Sequence, residues 1–234
     1  TGGTWNVSGT LQLPTAGTTG VQHLDAALNL AGGGNVQYYQ QNNSDTTGPG
    51  LSHLATIDST GKLVITNDSV FNGDSTNEDY TALTTIDGLL QLDSSTVSNG
   101  NGVPSGTTID STGLVKGNGG TFNALIGPLF NNGNLSPGDT AGVPGTLYIT
   151  SPADQTSYSQ GTSGALDIVL NGVGSGQYSL LDVKDGNVDL DGTLNLRPTS
   201  TYVNSAHVND DIAFLVSEQI SAVHQFANVN TTPP

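Results

Sequence analysis

One acidic run holds the residue types best suited to bind a metal ion. Its oxygen-bearing side chains stand at alternate positions, as they do at the start of an EF-hand calcium loop; they are Asp185, Asn187, Asp189 and Asp191. The loop's sixth position calls for glycine but holds Leu190, and its twelfth calls for a bidentate acid but holds Leu196. The run therefore predicts either a calcium site or an ordinary strand with Val188 and Leu190 inward and no cofactor.

A second candidate for cation binding is a polar loop that contains Asp74, Glu78 and Asp79. The whole chain has a formal net charge of −16. A charge of that size favours diffuse screening by divalent cations even where no defined site exists.

Motifs for nucleophilic or nucleotide chemistry are missing from the sequence. The nearest approach to a Gly-x-Ser-x-Gly elbow, at 161–164, is followed by Ala165. The four histidines are far apart, and no two have the i, i+4 spacing of a helical metal pair. The sequence therefore predicts a protein that is not an enzyme, with no catalytic residues.

The enzymatic alternative is a hydrolase that acts on polysaccharide from a β-helix scaffold. Such an enzyme needs a pair of carboxylates, and the chain has many aspartates. A lyase is disfavoured because it needs cations beside the substrate, and Lys62, Lys116, Lys184 and Arg197 are spread thinly.

Charge and composition exclude several classes of partner. The chain has twenty acidic side chains and only 4 basic ones. Four cations are too few to neutralise the phosphates of a nucleic acid or to bind an anionic membrane surface. The absence of cysteine removes thiol chemistry, and no apolar run is long enough for direct membrane insertion.

Acidic, Thr/Asn/Gly-rich and cysteine-free composition is typical of a secreted, extracellular prokaryotic protein. We expect the chain that begins at Thr1 to be a processed product or an excised fragment.

The elements that must position these residues are short strands. Apolar residues alternate with polar ones over runs of about four to seven residues, separated by Gly, Asn, Asp and Ser. Most strong helix formers are scarce. The sequence predicts an all-β fold, with a short N-terminal capping helix over 21–31 and a helical turn or two within 217–226.

An internal repeat favours a particular β architecture. Thr56-Ile57-Asp58 recurs as Thr85-Ile86-Asp87 and again as Thr108-Ile109-Asp110, a period of roughly 25 residues that is typical of stacked units. We therefore predict an elongated parallel β-helix or β-solenoid, with Ile and Leu as inward ladders and Thr and Asp outside and at the turns. The alternative for the C-terminal half is a jelly-roll-like β-sandwich.

The chain divides into three predicted segments. Residues 1–50 form an N-terminal strand and cap region, 51–131 hold the coils with the Thr-Ile-Asp repeat, and 132–234 form a C-terminal module. The third segment carries an ordered series of short motifs, namely 132–139 (NGNLSPGD), 144–149 (PGTLYI), 164–168 (GALDI), 176–183 (GQYSLLDV) and 190–196 (LDGTLNL).

This series, over roughly 132–229, resembles the autotransporter-associated β-strand repeats and the passenger modules of PEP-CTERM-type exported surface proteins. The resemblance implies an exported β-solenoid module of adhesins, stalks and matrix proteins. It implies no catalytic residues.

The predicted function is that of a non-enzymatic extracellular structural protein, a subunit of a self-assembling surface filament or coat whose main partner is the chain itself. Open sheet edges are templates for pairing with another chain. The predicted self-assembly residues, on the segment with the only tryptophan, are Trp5, Val7, Leu11 and Leu13. The alternatives are an ordinary first strand for this segment, and an adhesin or spacer module that binds a glycan or host surface.

Overall fold

The computed structural model of the protein describes residues 2–15, 21–32, 35–40, 47–49, 51, 54–67, 70–72, 83–99, 106–124, 127–138, 142–219 and 225–231. Nearly all regular structure in these ranges is β. The elements in chain order are β1 (Thr4–Val7), β2 (Thr10–Thr15), β3 (His23–Leu24), β4 (Ala27–Ala31), β5 (Asn35–Gln40), β6 (Thr47–Pro49), β7 (Thr56–Ile57), β8 (Lys62–Thr66), β9 (Val70–Asn72), β10 (Thr85–Ile86), β11 (Leu89–Asp93), β12 (Thr96–Asn99), β13 (Thr107–Ile109), β14 (Leu114–Gly117), β15 (Gly120–Ala124), β16 (Leu129–Asn131), β17 (Asn134–Pro137), β18 (Thr146–Gln160), β19 (Ala165–Leu170), β20 (Leu180–Asp189), β21 (Thr193–Pro198), α1 (Ser200–Ser205), β22 (Leu215–Gln219) and β23 (Asn228–Thr231).

The strands stack coil upon coil. A nine-stranded sheet runs in the order β1-β4-β8-β11-β14-β17-β19-β21-β23, and each strand is parallel to the next. One coil takes between 20 residues, from Leu114 to Asn134, and 35 residues, from Thr193 to Asn228. An eleven-stranded sheet supplies the other two faces, which join through the long strand β18. The predicted parallel β-solenoid is confirmed.

The Thr-Ile-Asp repeat stacks in register. Ile57 lies opposite Ile86, and Ile86 opposite Ile109, with the preceding threonines paired in the same way. All three isoleucines are completely buried. The predicted inward ladder of isoleucines is therefore confirmed on this face.

A second inward ladder forms on the nine-stranded sheet. At the second position of each strand an apolar side chain stacks on the one in the coil below, and its buried members are Leu28, Leu63, Leu90, Val115, Leu135, Leu166 and Leu194. Each strand alternates inward and outward side chains, so this column fills the interior while polar residues face solvent. Truncating one buried leucine to alanine in such a ladder costs about 2–5 kcal/mol.

Glycine directly precedes each strand of this sheet from β8 to β21, at the corner where the strand begins. The coil below comes so close that a β-carbon at Gly88 would overlap the carbonyl oxygens of Asp58 and Gly61. A β-carbon at Gly133 would overlap those of Asp110 and Gly113. The sequence Gly-x-Leu recurs at the start of strands of this sheet, at 61–63, 88–90, 133–135, 164–166 and 192–194. It therefore reflects close stacking of backbones at the corner, followed by an inward leucine.

The predicted capping helix over 21–31 is wrong. This stretch forms β3 and β4, and β4 pairs in parallel with β8 from Ala27 to Ala31. The apolar spacing of Leu24 and Leu28 fits a helix, but Leu28 and Leu30 also alternate as a strand does. Pairing on both edges of β4, to β1 and β8, decides in favour of the strand.

The other helix prediction is also wrong where the structure describes it. Residues 217–219 belong to β22, while 220–224 lie outside the described residues. The one helix in the described ranges, α1, was not predicted. Its six residues begin after Thr199, whose hydroxyl accepts a hydrogen bond from the backbone N–H of Tyr202.

The β-sandwich alternative for the C-terminal half is wrong. The ladders that join β17, β19, β21 and β23, and those that join β18, β20 and β22, are all parallel, whereas a jelly roll is built from antiparallel neighbours. The nine-stranded sheet crosses all three predicted segments, since β4 pairs with β8 and β14 pairs with β17. Within the described part of the chain, no helix has the length and apolar character needed to cross a bilayer.

Candidate functional site

The four residues predicted to mediate self-assembly lie on two strands of the first coil. Trp5 and Val7 are on β1, which ends the nine-stranded sheet and pairs, among the described strands, only with β4. Leu11 and Leu13 are on β2, which ends a three-stranded sheet and pairs with β5. The structure thus places all four at the outer edge of the solenoid.

Trp5 occupies the second position of β1, in line with the buried leucine ladder. It lies opposite Leu28, which is only 5% exposed, whereas Trp5 itself is 51% exposed. Val7, two residues further on, is partly buried against the core. The indole therefore extends the inward ladder to an edge that no other described strand covers.

The opposite edge of the same sheet ends in β23. Val229 takes the second position there, opposite the buried Leu194, and is 60% exposed. Both ends of the inward ladder therefore present an apolar side chain to solvent in the described structure.

The third position of each end strand carries an outward asparagine. Nδ2 of Asn29 donates a hydrogen bond of 2.6 Å to Oδ1 of Asn6. At the other end, Nδ2 of Asn230 donates one of 3.3 Å to Oδ1 of Asn195. In both pairs the coil later in the chain supplies the donor and the earlier coil the acceptor.

The acidic run considered for calcium lies at the C-terminal end of β20 and just beyond it. Asn187 and Asp189 point away from the buried Val188, and outward neighbours on an extended strand lie about 7 Å apart. Oδ1 of Asp191 accepts the backbone N–H of Gly192 at 2.7 Å. Asn187 and Asp189 therefore have the geometry of an ordinary strand. Calcium binding at Asp185, Asn187, Asp189 and Asp191 stays a prediction.

The period of the Thr-Ile-Asp repeat also aligns carboxylates. In four neighbouring coils an aspartate directly follows the buried leucine or isoleucine of the ladder that contains the Thr-Ile-Asp repeat. These residues are Asp25, Asp58, Asp87 and Asp110. We call these four aligned residues the aspartate column. Stacked coils lie about 4.8 Å apart. A polysaccharide hydrolase would need a pair of carboxylates, and this column is where aspartates of neighbouring coils are aligned.

Local polar contacts involve the members of the aspartate column. Nδ1 of His23 lies 3.5 Å from Oδ1 of Asp58, and the Thr112 hydroxyl donates to Asp87. Oδ1 of Asp110 accepts the backbone N–H of Ser111 at 2.9 Å. Within the described ranges, no three acidic or histidine side chains are grouped so as to hold a metal ion.

A buried polar cluster interrupts the isoleucine ladder, and sequence reasoning missed it. Asn131 lies opposite Ile109 and is completely buried. Its Nδ2 donates to the Tyr158 hydroxyl at 3.0 Å and to the carbonyl of Ala165 at 2.9 Å. The Tyr158 hydroxyl in turn donates to Oε1 of Gln160 at 2.8 Å. The pattern of apolar residues gave no signal for a polar side chain here.

This cluster joins neighbouring coils. Nε2 of Gln160 donates to the carbonyl oxygens of Asp191 and Thr193 in the next coil, at 2.8 and 3.1 Å. Complete burial raises the pKa of the Tyr158 hydroxyl above its ordinary value, and the hydrogen bond from Asn131 lowers it by less. The cluster therefore acts as a set of neutral hydrogen bonds that connect coils inside the core.

Arg197 and Lys184 lie beside carboxylates. Arg197 contacts Asp167 at 2.9 Å, and Lys184 lies 3.9 Å from Asp182 and over the ring of Tyr148. The second cation candidate, Asp74, Glu78 and Asp79, lies outside the described residues, as do two of the histidines.

In comparisons with known proteins, no family model, no curated protein and no solved structure matches the chain. The resemblance to autotransporter-associated repeats therefore stays a prediction from the motifs.

Proposed function

We propose that the protein is a non-enzymatic extracellular structural protein, a subunit that assembles with copies of itself into a surface filament or coat. The observation that carries this proposal is the edge strand β1, which presents a half-exposed tryptophan at the end of a parallel sheet. Such an edge offers unpaired backbone N–H and C=O groups together with an apolar side chain to a further strand.

The strand lacks three of the features by which soluble proteins protect a sheet edge. Edges are commonly blunted by charged residues, proline or a β-bulge. The sequence Thr4–Val7 holds no charge and no proline, and its four residues pair with β4 without a register shift. The strand is therefore a competent template for pairing.

Burial of Trp5 alone is insufficient to hold two subunits together. Covering the exposed half of an indole contributes about 2–3 kcal/mol, while association costs at least about 4 kcal/mol in lost freedom of motion. The whole cross-section of the first coil must take part. This is geometrically consistent, because β2 and β3 are likewise end strands of their sheets.

Charge sets the conditions under which assembly is expected. A net charge of −16 makes subunits repel one another over a Debye length of about 10 Å at 0.1 M salt. The end strands β1 and β23 carry no charged residue. Assembly is therefore expected to strengthen as ionic strength rises.

Sedimentation velocity over a range of protein and salt concentrations tests the proposal. The parent chain is expected to form large species, and Trp5→Lys, which places a charge on the edge, to remain monomeric. Phe130→Lys is the matched control, because Phe130 is also an exposed aromatic residue but lies on β16, away from the end strands. Far-UV circular dichroism checks that each variant folds.

The emission of Trp5 supplies a second readout, since the chain has no other tryptophan. Assembly through β1 is expected to shift the emission to the blue and to protect it from acrylamide. A parent chain that stays monomeric at all concentrations and salts, or a Trp5→Lys variant that assembles like the parent, contradicts the proposal.

A second candidate function is an adhesin or spacer module that binds a glycan. The observation in its favour is the same exposed indole, whose flat apolar face could lie against a sugar ring. A glycan-binding screen with the parent and Trp5→Lys distinguishes this function, since a monomeric chain that binds a saccharide through Trp5 supports the adhesin and not the filament.

A further inference from the structure

We propose that β23 of one copy pairs in parallel with β1 of the next copy, with Val229 against Trp5 and Asn230 against Asn6. This inference rests on the proposed self-assembly and names the two edges that meet. It makes the joint between subunits a continuation of the nine-stranded sheet.

The register follows from the sheet itself. Thr4 is aligned with Ala27 at one end, and Thr193 with Asn228 at the other, and each alignment runs through all four residues of the end strand. Adding β1 after β23 in the same register sets Asn228 beside Thr4. Both strands have four residues, so no position is left without a partner.

The inward positions of the two edges complete one another. Trp5 and Val229 are 51% and 60% exposed, and each stands on a buried leucine of its own chain, Leu28 and Leu194. Setting Val229 on Trp5 joins the two open ends of the ladder and covers both side chains with apolar surface.

The outward positions match in hydrogen-bonding polarity. Inside the chain, the later asparagine donates to the earlier one, from Asn29 to Asn6 and from Asn230 to Asn195. In the joint, Asn6 of the next copy takes the place of the later coil, so its Nδ2 donates to Oδ1 of Asn230. Neither of these two atoms has a partner within the described part of the chain. A joint of two β1 edges would set donor against donor instead.

The symmetry of this joint gives a filament rather than a closed dimer. The two surfaces that meet are different parts of the chain, so each added subunit exposes the same edge again. Heterologous contacts of this kind produce open assemblies when the rotation between copies does not close a ring. Stacked coils share one axis, which favours the open form.

The test uses cysteine pairs, because the parent chain contains no cysteine. Aligned residues on paired strands lie about 4.8 Å apart at Cα, within the 4.4–6.8 Å range of disulfides. The variant with Asn6→Cys and Asn230→Cys is therefore expected to form a covalent ladder of oligomers under mild oxidation at assembling salt. Peptide mass spectrometry is expected to identify a link between positions 6 and 230.

The matched control combines Asn6→Cys with Asn228→Cys. Position 228 faces the same side of β23 but is shifted by two residues, which places the Cα atoms roughly 8 Å apart, beyond disulfide reach. This variant is expected to give little covalent ladder while it assembles as the parent does.

The possible failures are distinguishable by sedimentation of the same variants. Assembly with links only between equal positions, 6 to 6 or 230 to 230, overturns the proposed joint and leaves self-assembly standing. Assembly in which both variants cross-link equally, or not at all, overturns the register. A parent chain that does not assemble overturns both the joint and the proposed function.

Discussion

Trp5 lies opposite Leu28 in the pairing of the first two strands of the nine-stranded sheet, yet Trp5 is half exposed while Leu28 is buried. The two side chains occupy the same position in successive coils, but Leu28 lies between two paired strands, whereas Trp5 is paired on one side only among the described strands. An interior column thus reaches the surface at the end of the solenoid. Among the described residues, this end of the sheet therefore exposes an apolar side chain in line with the buried core.

Close stacking at the corners predicts a specific sensitivity to alanine. Gly133→Ala places a β-carbon on the carbonyl oxygens of Asp110 and Gly113 and is expected to lower the free energy of unfolding by about 1–3 kcal/mol. Gly9→Ala is the control: it belongs to the same Gly-x-Leu pattern, but nothing lies near its β-carbon. Urea denaturation measures both variants, and equal losses would contradict the corner model.

The buried hydroxyl of Tyr158 predicts a loss of stability at high pH. Its pKa is raised by burial above the ordinary value of about 10. Between the pKa of the unfolded chain, about 10, and the higher pKa of the folded chain, the folded chain keeps a proton that the unfolded chain loses. The free energy of unfolding is therefore intact below pH 10 and falls as pH rises above it, by up to about 1.4 kcal/mol per pH unit.

Urea denaturation between pH 8 and 11 checks this slope. Tyr158→Phe is expected to be less stable at pH 8 by about 1–3 kcal/mol, because Gln160 and Asn131 lose their buried partner. The same variant should show a shallower decline above pH 10. Tyr202→Phe, at a partly buried position on α1, serves as the control and should keep the parent's slope. If the free energy of unfolding of Tyr158→Phe fell with pH as steeply as that of the parent, the Tyr158 hydroxyl would not be the cause of the decline.

The aspartate column predicts that removing one charge is beneficial. Asp110→Asn keeps an oxygen that can accept the N–H of Ser111 but lessens repulsion along the column, so stability should rise by about a few tenths of a kcal/mol at low salt. The gain should shrink in 1 M NaCl because of screening. Asp211→Asn makes the same charge change at an exposed position off the column, and thermal melts should show a smaller gain for it.

Calcium supplies a further prediction. Since Asn187 and Asp189 lie on an extended strand, we expect calcium to raise the melting temperature no more than magnesium does at the same ionic strength. Differential scanning calorimetry with and without a chelator measures the response. A stabilisation specific to calcium that Asp189→Asn abolishes would instead establish the calcium site.

Repetition made much of the fold predictable from sequence. The interval between Ile57, Ile86 and Ile109 fixed both the stacking and the register, because one period of sequence corresponds to one coil. The sequence Gly-x-Leu is a second recurring signal, since it stands where β8, β11, β17, β19 and β21 of the nine-stranded sheet begin, and also where β2 and β18 begin in the other sheets. These signals are local and recur, so a single sequence suffices to read them.

Features that do not repeat could not be predicted in this way. At 21–31 the apolar residues fit both a helix and a strand, and only the pairing of β4 with β1 and β8 distinguishes the two. Asn131 replaces an isoleucine of the ladder, and its role depends on Tyr158 and Gln160 from the following coil. The position of Trp5 at an edge was predicted, whereas its alignment with the ladder that ends at Val229 required the register of the whole sheet.

Electron microscopy of the negatively stained native chain, at high protein concentration and salt, tests the central claim most directly. Nine stacked strands at about 4.8 Å predict regular fibres with an axial repeat of roughly 43 Å per subunit. Single short rods at every concentration and salt would contradict the account of this protein as a self-assembling subunit.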